Sequence, residues 1–255
     1  MGFFRVNDVC TVSMYAMDAQ RANLIKGRNP LRASNALRSA LAKRAKSPGT
    51  ITYFFSSKNN QDILLSTDLE FAHALLCEAD ENVKSYESDT DRVIAFVENE
   101  GYIGSKPDAI VKFWSGQVEY RKVMYLGGQG QEHALLQAEV QKRAAETVGA
   151  GWAWFSEKDV VANERLFHDW LHIAPVLAQS RIDVKARWEF LAKWVLEESR
   201  EGTNLGNLHR RAQDPWELVF SATFRLIQLG RLSSDLQTKP LSSLTAITPR
   251  VVRNG

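Results

Sequence analysis

The sequence predicts an α/β fold, in which a mixed sheet is flanked by helices, followed by a smaller helical region that ends in a β-ribbon. Three observations carry this prediction. Alternating apolar residues predict paired strands in the first part of the chain, and apolar residues at helical spacing predict helices between them. Beyond residue 180, three helical segments precede two more strand-like runs. Strands and helices in such an order are typical of a sheet with helices packed on its faces.

The elements predicted for residues 49–180 follow one another along the chain. Two β-prone runs, 51–57 and 62–66, flank a polar turn and predict a hairpin. Apolar residues at 3.6-residue spacing from Thr67 to Ala79 predict a helix that packs one face on a sheet. Further strands are predicted at 83–88, 91–98, 108–114 and 117–125, a helix at 131–147, a strand at 152–155, and a helix from 157 that ends near Pro175. The resulting order is helix, antiparallel meander, helix, strand.

A second domain is predicted for residues 181–255. Helical spacing marks 186–199 and 204–212, and Asp214 followed by Pro215 predicts the N-cap and first residue of a third helix, which Gly230 ends. Two strand-like runs then flank Lys239-Pro240. Three helices and a β-ribbon resemble a winged helix, a fold that binds DNA or proteins.

The composition indicates a globular protein with ample material for a core. The 255 residues are 44% hydrophobic and 24% charged, values that fit neither a disordered nor a collagen-like chain. Cys10 and Cys77 lie far apart and outside any CxxC pair, so we expect a reducing cytoplasm, without a disulfide framework or a structural zinc site. No secretion signal opens the sequence, and nowhere do about 18 apolar residues run together. We therefore expect a cytoplasmic protein that does not enter a membrane.

The formal net charge of +2 hides a local asymmetry. Residues 1–50 contain nine Lys and Arg against two Asp, whereas residues 61–100 contain two basic and eleven acidic residues. A basic arm suits phosphate backbones, and an acidic block beside a catalytic sheet suits divalent cations. A solvated surface explains both stretches equally well. We assign the basic arm to residues 1–48, and its candidate DNA-binding residues are Arg28, Arg32, Arg38, Lys43, Arg44 and Lys46.

The densest chemical signal lies in residues 106–123. Asp108 opens one predicted strand, and Glu119 lies in the next strand, across a short Ser-Gly turn. In such a hairpin we expect the two carboxylates to come close enough to share Mg²⁺ or Mn²⁺, which would polarise a phosphodiester and activate water. Because side chains alternate along a strand, Glu119 and Arg121 share one face. A Pro-Asp pair is also common in turns, and this reading would hold for Asp108 without Glu119.

Glu70, in the first turn of the helix that begins near Thr67, supplies a third candidate carboxylate. It lies on an edge of the helix distinct from the apolar stripe, so we expect it to point across the sheet. The structural alternative is a capping box, because Thr67 and Glu70 have the S/T-x-x-E spacing in which the glutamate returns to the N-cap amide.

Several short motifs, in their order along residues 29–245, resemble the PD-(D/E)xK nucleases. Among these, the sequence is most similar to TnsA, the endonuclease subunit of heteromeric bacterial transposases. The motifs are Asn29-Pro30-Leu31-Arg32-Ala33-Ser34, Thr67-Asp68-Leu69-Glu70, Val83-Lys84-Ser85-Tyr86, Pro107-Asp108, Glu119-Tyr120-Arg121, and the stretch from Leu226 to Leu236. The resemblance implies a restriction-endonuclease-like fold, with Glu70, Asp108 and Glu119 as metal ligands. It also implies that the partners are DNA, a DDE-type transposase and an AAA+ ATPase, and that the protein can form an oligomer. The implied location is the bacterial cytoplasm, at the nucleoid.

One departure from the family pattern bears on function. The lysine of the ExK motif corresponds to Arg121 if the strand register is regular, or to Lys122 if a bulge shifts it by one. We count both as candidate catalytic residues. A guanidinium binds phosphate but is a poor proton donor to a leaving group. The resemblance implies a metal-dependent endonuclease that cleaves the donor strand at transposon ends. Because of this departure, a catalytically degenerate subunit that binds DNA or assists assembly is the alternative.

Overall fold

A computed structural model describes residues 51–126 and 131–250 of the chain. The described residues all belong to one compact unit, Pro48–Gly255. The predicted basic arm, residues 1–48, and its six candidate DNA-binding residues lie outside the described residues.

A hairpin and a helix begin the described part, as predicted. Strand β1 (Thr52–Ser56) pairs antiparallel with β2 (Gln61–Leu65), and helix α1 (Asp68–Ala79) follows. The hydroxyl of Thr67 accepts a hydrogen bond from the Glu70 N–H at 3.1 Å, which caps the start of α1. The predicted helix is confirmed, but its burial is not limited to the one predicted face, because the consecutive residues Ala72 to Leu75 are all buried.

A four-stranded mixed sheet forms the centre of this region. Its members are β3 (Val83–Glu87), β6 (Ala109–Phe113), β7 (Val118–Val123) and β8 (Gly151–Phe155), which lie side by side in that order. The first three strands are antiparallel, whereas β8 runs parallel to β7 after the crossover helix α2 (Gln131–Thr147). The α/β class with a mixed sheet is confirmed, whereas the predicted antiparallel meander is found only in part, because one of its four strands lies outside this sheet.

The predicted strand at 91–98 does not join this sheet. Strand β4 (Val93–Val97) pairs instead with β5 (Gly101–Ser105), and the two form a separate hairpin between β3 and β6. Strand β5 was not predicted, because its sequence GYIGS contains two glycines, which weaken the strand signal. The hairpin packs against α2 and lies outside the sheet. Strand β3 therefore pairs directly with β6.

The helix predicted to end near Pro175 is longer than expected and is divided. Helix α3 (Glu157–Ala162) stops at Asn163, and α4 (Glu164–Ala186) continues through Pro175. A proline inside a helix costs about 3 kcal/mol. Burial of a long apolar stripe on α4 offsets this cost, since α4 packs against α1 and a C-terminal helix. The predicted domain boundary at 180/181 lies inside α4.

The C-terminal region contains the predicted three helices and two strands, with one added short strand. The elements are α5 (Trp188–Glu198), β9 (Thr203–Asn204), α6 (Leu205–Arg211), α7 (Trp216–Gln228), β10 (Leu232–Ser234) and β11 (Ala246–Pro249). The small sheet has the order β10-β11-β9. The N-cap of α7 is Pro215 and not the predicted Asp214, whose carboxylate forms an ion pair with Arg187.

One hydrophobic core extends through both predicted domains. It includes Phe54 and Leu75 from the first part of the chain, Trp170 from α4, and Phe224 and Ile247 from the C-terminal region. Within the described ranges, no helix combines the length and apolar character needed to cross a membrane.

Candidate functional site

The β6–β7 hairpin determines how the predicted acidic and basic side chains are arranged. Its register is regular: Val111 lies opposite Glu119, and Ala109 lies opposite Arg121. Because side chains alternate along β7, Glu119 and Arg121 point to one face of the sheet, as predicted, and Lys122 points to the other. The two candidates for the motif's lysine therefore lie in different environments.

On the first face, Arg121 is engaged with Glu119. Arg121 Nε lies 2.7 Å from Glu119 Oε1, and both side chains are largely buried. Arg121 Nη1 also lies 3.3 Å from His73 Nε2 and 3.7 Å from Cys77 Sγ, both on α1. Burial, together with the charge of Arg121, lowers the pKa of His73 to about 3. Burial raises the pKa of the Cys77 thiol to about 12, although Arg121 opposes this shift. Arg121 therefore contacts one carboxylate and two uncharged side chains.

Asp108 is engaged with a different cation. Its Oδ2 accepts a hydrogen bond from the Val123 N–H at 2.8 Å and lies 3.0 Å from Lys122 Nζ. Both side chains of this ion pair are also mostly buried. The Lys122 ammonium reaches Asp108 without any shift in the β6–β7 register, because Ala109 pairs with Arg121, Asp108 comes just before Ala109, and Lys122 comes just after Arg121. The two carboxylates predicted to share a metal ion are thus each neutralised by a separate cation.

Glu70 takes part in the start of α1. Its Oε2 accepts a hydrogen bond from the Ser66 N–H at 2.6 Å, while its own N–H donates to Thr67 Oγ1. These reciprocal contacts resemble a capping box displaced by one residue, because the glutamate returns to the residue before the N-cap. Glu70 therefore stabilises the start of the helix, as in the structural alternative, but it accepts from the Ser66 N–H and not from the Thr67 N–H.

As folded, the three predicted acids do not fit a shared magnesium site. The described part of the chain contains no group of three or more His, Cys, Asp or Glu side chains placed to hold a metal ion. A hard divalent cation needs several oxygen ligands directed at one point. Here Glu70, Asp108 and Glu119 accept hydrogen bonds or ion pairs from three different protein donors.

A cleft of about 550 Å³ opens beside the Glu119–Arg121 pair. Its lining includes Asp80, Glu81 and Asp159 in addition to that pair. All three of these further acids have structural contacts: Asp80 accepts a hydrogen bond from the Asn82 N–H, Glu81 accepts them from Ser233 and Ser234, and Asp159 accepts them from Ser156. The cleft is consequently acidic, with one guanidinium in its lining.

Sequence reasoning missed the neighbours of Arg121 on α1. His73 and Cys77 lie four residues apart, a spacing that places both on one face of a helix. That spacing was a usable signal, yet nothing local indicates that the face is turned toward β7. The acids Asp80 and Glu81 belong to the acidic block at 61–100, which was recognised only as a charge run.

Comparisons with known proteins assign no family to this chain, so the class of the protein is judged from its fold. No model of a protein family matches the sequence, and no curated protein matches it either. The fold is that of an α/β protein with a four-stranded mixed sheet, the crossover helix α2, and further helices before and after α2 in the chain. The hairpin in that sheet presents two separated carboxylate–cation pairs.

Proposed function

We propose that the protein is a TnsA-like subunit that acts on DNA in transposition and that its nuclease-like domain serves binding and assembly rather than cutting. The observation that carries the proposal is the separation of Glu119 with Arg121 from Asp108 with Lys122. Support for the fold assignment comes from the order of α1, three antiparallel strands, α2 and the parallel strand β8. The basic sequence of residues 1–48 supports DNA as the ligand.

The chemistry of Arg121 favours binding over cleavage. A guanidinium remains protonated and does not readily give a proton to a leaving group. At 2.7 Å from Glu119 it also neutralises the carboxylate that the family resemblance assigns to the metal. Freeing Glu119 for a cation would leave Arg121 without its ion pair on a largely buried face, which is costly.

A second candidate function is the metal-dependent endonuclease. One observation favours it: Lys122 Nζ lies 3.0 Å from Asp108 Oδ2, so an acid and a lysine of the kind that the motif requires are in contact. In this alternative, Lys122 rather than Arg121 takes the role of the motif's lysine, and Asp108 is the indispensable acid.

The C-terminal region supports a scaffolding role better than groove reading. In helix-turn-helix proteins that read DNA, the recognition helix exposes one side to the major groove. In α7, the helix that precedes the β10–β11 ribbon, Glu217 alone is exposed. We therefore assign to this region the support of the nuclease-like sheet and contact with protein partners, and not sequence-specific readout by α7.

Nicking of supercoiled plasmid in Mg²⁺ or Mn²⁺, with and without a DDE-type transposase, separates the two functions. We expect the protein to bind DNA without metal, to lose affinity steeply with salt and on removal of residues 1–48, and to leave the plasmid intact. Nicking that disappears in Asp108→Ala and Lys122→Ala would overturn the binding proposal and establish the endonuclease. Asp89→Ala is the matched control, since Asp89 forms an exposed ion pair with Lys106.

A further inference from the structure

An exposed tryptophan stands among cations at the turn between β6 and β7. Trp114 directly follows β6, and 41% of its surface is exposed. The Lys84 ammonium lies over its ring, 5.4 Å from the centroid. An exposed aromatic side chain beside positive charge is suited to ligands that carry both rings and anions.

The fold of the sheet edge places Lys84 over the indole. The β3–β6 register shifts between Val83 and Ser85, so Lys84 is the extra residue of an irregular pairing. The backbone N–H of Trp114 donates a hydrogen bond to the Asn82 carbonyl at 2.9 Å, which holds the turn against the start of β3. Lys84 and Trp114 are therefore held together by the backbone of the sheet.

The C-terminal region completes the cluster from the other side. Gly230, with a φ of +67°, makes a tight turn after α7; a β-carbon there would lie 3.6 Å from Trp114 Nε1 and 3.7 Å from Arg250 Nη1. Arg250 donates hydrogen bonds to the Glu81 carbonyl at 2.6 Å and to Asn82 Oδ1 at 2.9 Å. Its N–H also donates to the carbonyl of the exposed Arg231 at 3.1 Å.

These cations differ from other surface cations nearby in that no carboxylate neutralises them. Among the described residues, Lys84, Arg231 and Arg250 form no ion pair, whereas Lys106 and Lys112 are paired with Asp89 and Glu87. Lys84 and Arg250 lie near Trp114, and the exposed Arg231 is joined to Arg250 through its backbone carbonyl. Like charges brought close together repel one another, and a bound anion would relieve that repulsion. The indole adds a surface on which an unpaired base can stack.

We propose that Lys84, Trp114, Arg231 and Arg250, here called the tryptophan patch, bind a DNA strand through its phosphates and one unpaired base. The inference rests on the proposed function in so far as the protein binds DNA, and it adds a second contact surface besides the basic arm. The patch joins the nuclease-like sheet to the C-terminal region, so a strand held there contacts both. An exposed base is available where a duplex is frayed or ends in an overhang.

The charge of the patch is tested with full-length protein and a fluorescent duplex that carries a single-stranded overhang. In the double variant Lys84→Ala/Arg231→Ala, two phosphate contacts are lost, each worth about a factor of 5 at about 0.15 M salt, so affinity falls about 25-fold. The slope of log affinity against log salt falls by about 2. Lys106→Ala/Lys112→Ala, which removes two paired cations, is the matched control and leaves affinity and slope within about twofold of the wild type.

The aromatic contact is tested at Trp114 itself. Trp114→Ala lowers affinity for the overhang duplex about tenfold and leaves that for a blunt duplex nearly unchanged, while Trp114→Phe keeps most of the preference, because a phenyl ring also stacks on a base. Circular dichroism before binding shows that each variant keeps the wild-type fold.

Wild-type affinity and salt slope in Lys84→Ala/Arg231→Ala would overturn the inference while leaving the proposed function intact. The same holds if a poly-glutamate peptide binds the wild type but not the double variant and DNA binding is unaltered, since the patch would then serve an acidic protein. Failure of the wild type to bind any DNA would overturn both this inference and the proposed function.

Discussion

Glu78 is buried at 1% exposure and accepts hydrogen bonds from five donors. The donors come from the β1–β2 turn, from β3 and from α7, so a single carboxylate connects three parts of the chain. They are Ser56 Oγ at 2.6 Å, Ser57 Oγ at 2.7 Å, the Lys58 N–H at 3.1 Å, Tyr86 OH at 2.9 Å and Gln228 Nε2 at 2.7 Å. A buried charge of this kind is tolerated only because every lone pair has a donor.

Replacing Glu78 by alanine is expected to lower the free energy of unfolding by about 3–5 kcal/mol, because several buried donors lose their acceptor at once. Urea denaturation followed by circular dichroism measures the change. Glu139→Ala, which removes an exposed carboxylate paired with Arg143, is the control and should cost less than about 1 kcal/mol. Equal losses in the two variants would contradict the role assigned to Glu78.

His73 predicts a pH dependence of stability. Burial, aided by Arg121, lowers its pKa from 6.5 to about 3 in the folded protein. As pH falls below 6.5, His73 becomes protonated in the unfolded chain but stays neutral in the folded protein. The free energy of unfolding therefore decreases between pH 6.5 and about 3, and the decrease reaches about 3 kcal/mol at pH 4. Other acids add to the slope, and His73→Gln isolates this part because glutamine does not titrate.

Urea denaturation at a series of pH values checks this expectation. The decrease in stability on acidification should be clearly smaller in His73→Gln than in wild type, whereas His168→Gln, at an exposed histidine, should reproduce the wild-type slope. Parallel slopes in wild type and His73→Gln would show that the histidine titrates normally in the folded protein.

At the scale of elements, α4 keeps a continuous helix over 23 residues in spite of Pro175. Pro175 is exposed, whereas the buried stripe of α4 contains Leu166, Trp170, Ile173 and Leu177. The packing of this stripe against α1 and α7 outweighs the local cost of the proline. Local sequence rules place the end of the helix at the proline because they do not include this burial.

Pro175→Ala is therefore expected to raise the free energy of unfolding by about 1–2 kcal/mol, since it restores a backbone donor within the helix and removes the ring's clash. A shift of the urea midpoint with unchanged slope measures it. Pro215→Ala is the control: Pro215 occupies the N-cap of α7, where no intrahelical donor is lost, and its replacement should give no gain. An unchanged midpoint in Pro175→Ala would indicate that α4 bears no cost at this residue.

At the scale of the whole molecule, the region of the four-stranded sheet and the C-terminal region share core and polar contacts. Gln228 of α7 reaches Glu78, Arg181 of α4 pairs with Asp62 of β2 at 2.8 Å, and Ser233 donates to Glu81. With one hydrophobic core running through both parts, neither part buries its apolar surface without the other.

Fragments 49–180 and 181–255 are each expected to lack cooperative unfolding, because each exposes half of the common core. The fragment 48–255 is the control and should unfold in one cooperative transition. Thermal and urea unfolding of the three fragments, followed by circular dichroism, checks this expectation. A sharp transition in 181–255 alone would show that the C-terminal region is an independent module.

Sequence periodicity was sufficient for much of the fold. The β1–β2 hairpin, α1, α2 and the four strands of the central sheet were predicted as elements, because hydrophobic spacing and turn residues are local properties. The prediction failed where distant packing decided the outcome: β4 left the sheet to pair with the glycine-containing β5, and α4 passed through Pro175.

For the candidate site, the sequence alone determined which side chains are present and that Glu119 and Arg121 share a face, since alternation along a strand needs no partner. Only the tertiary structure decided which charge meets which: Glu119 with Arg121, Asp108 with Lys122, and Glu70 with the Ser66 amide. The physical reason is that an ion pair depends on the register between strands and on the side chains packed above them. Both are set by contacts between segments far apart in the chain, which periodicity does not contain.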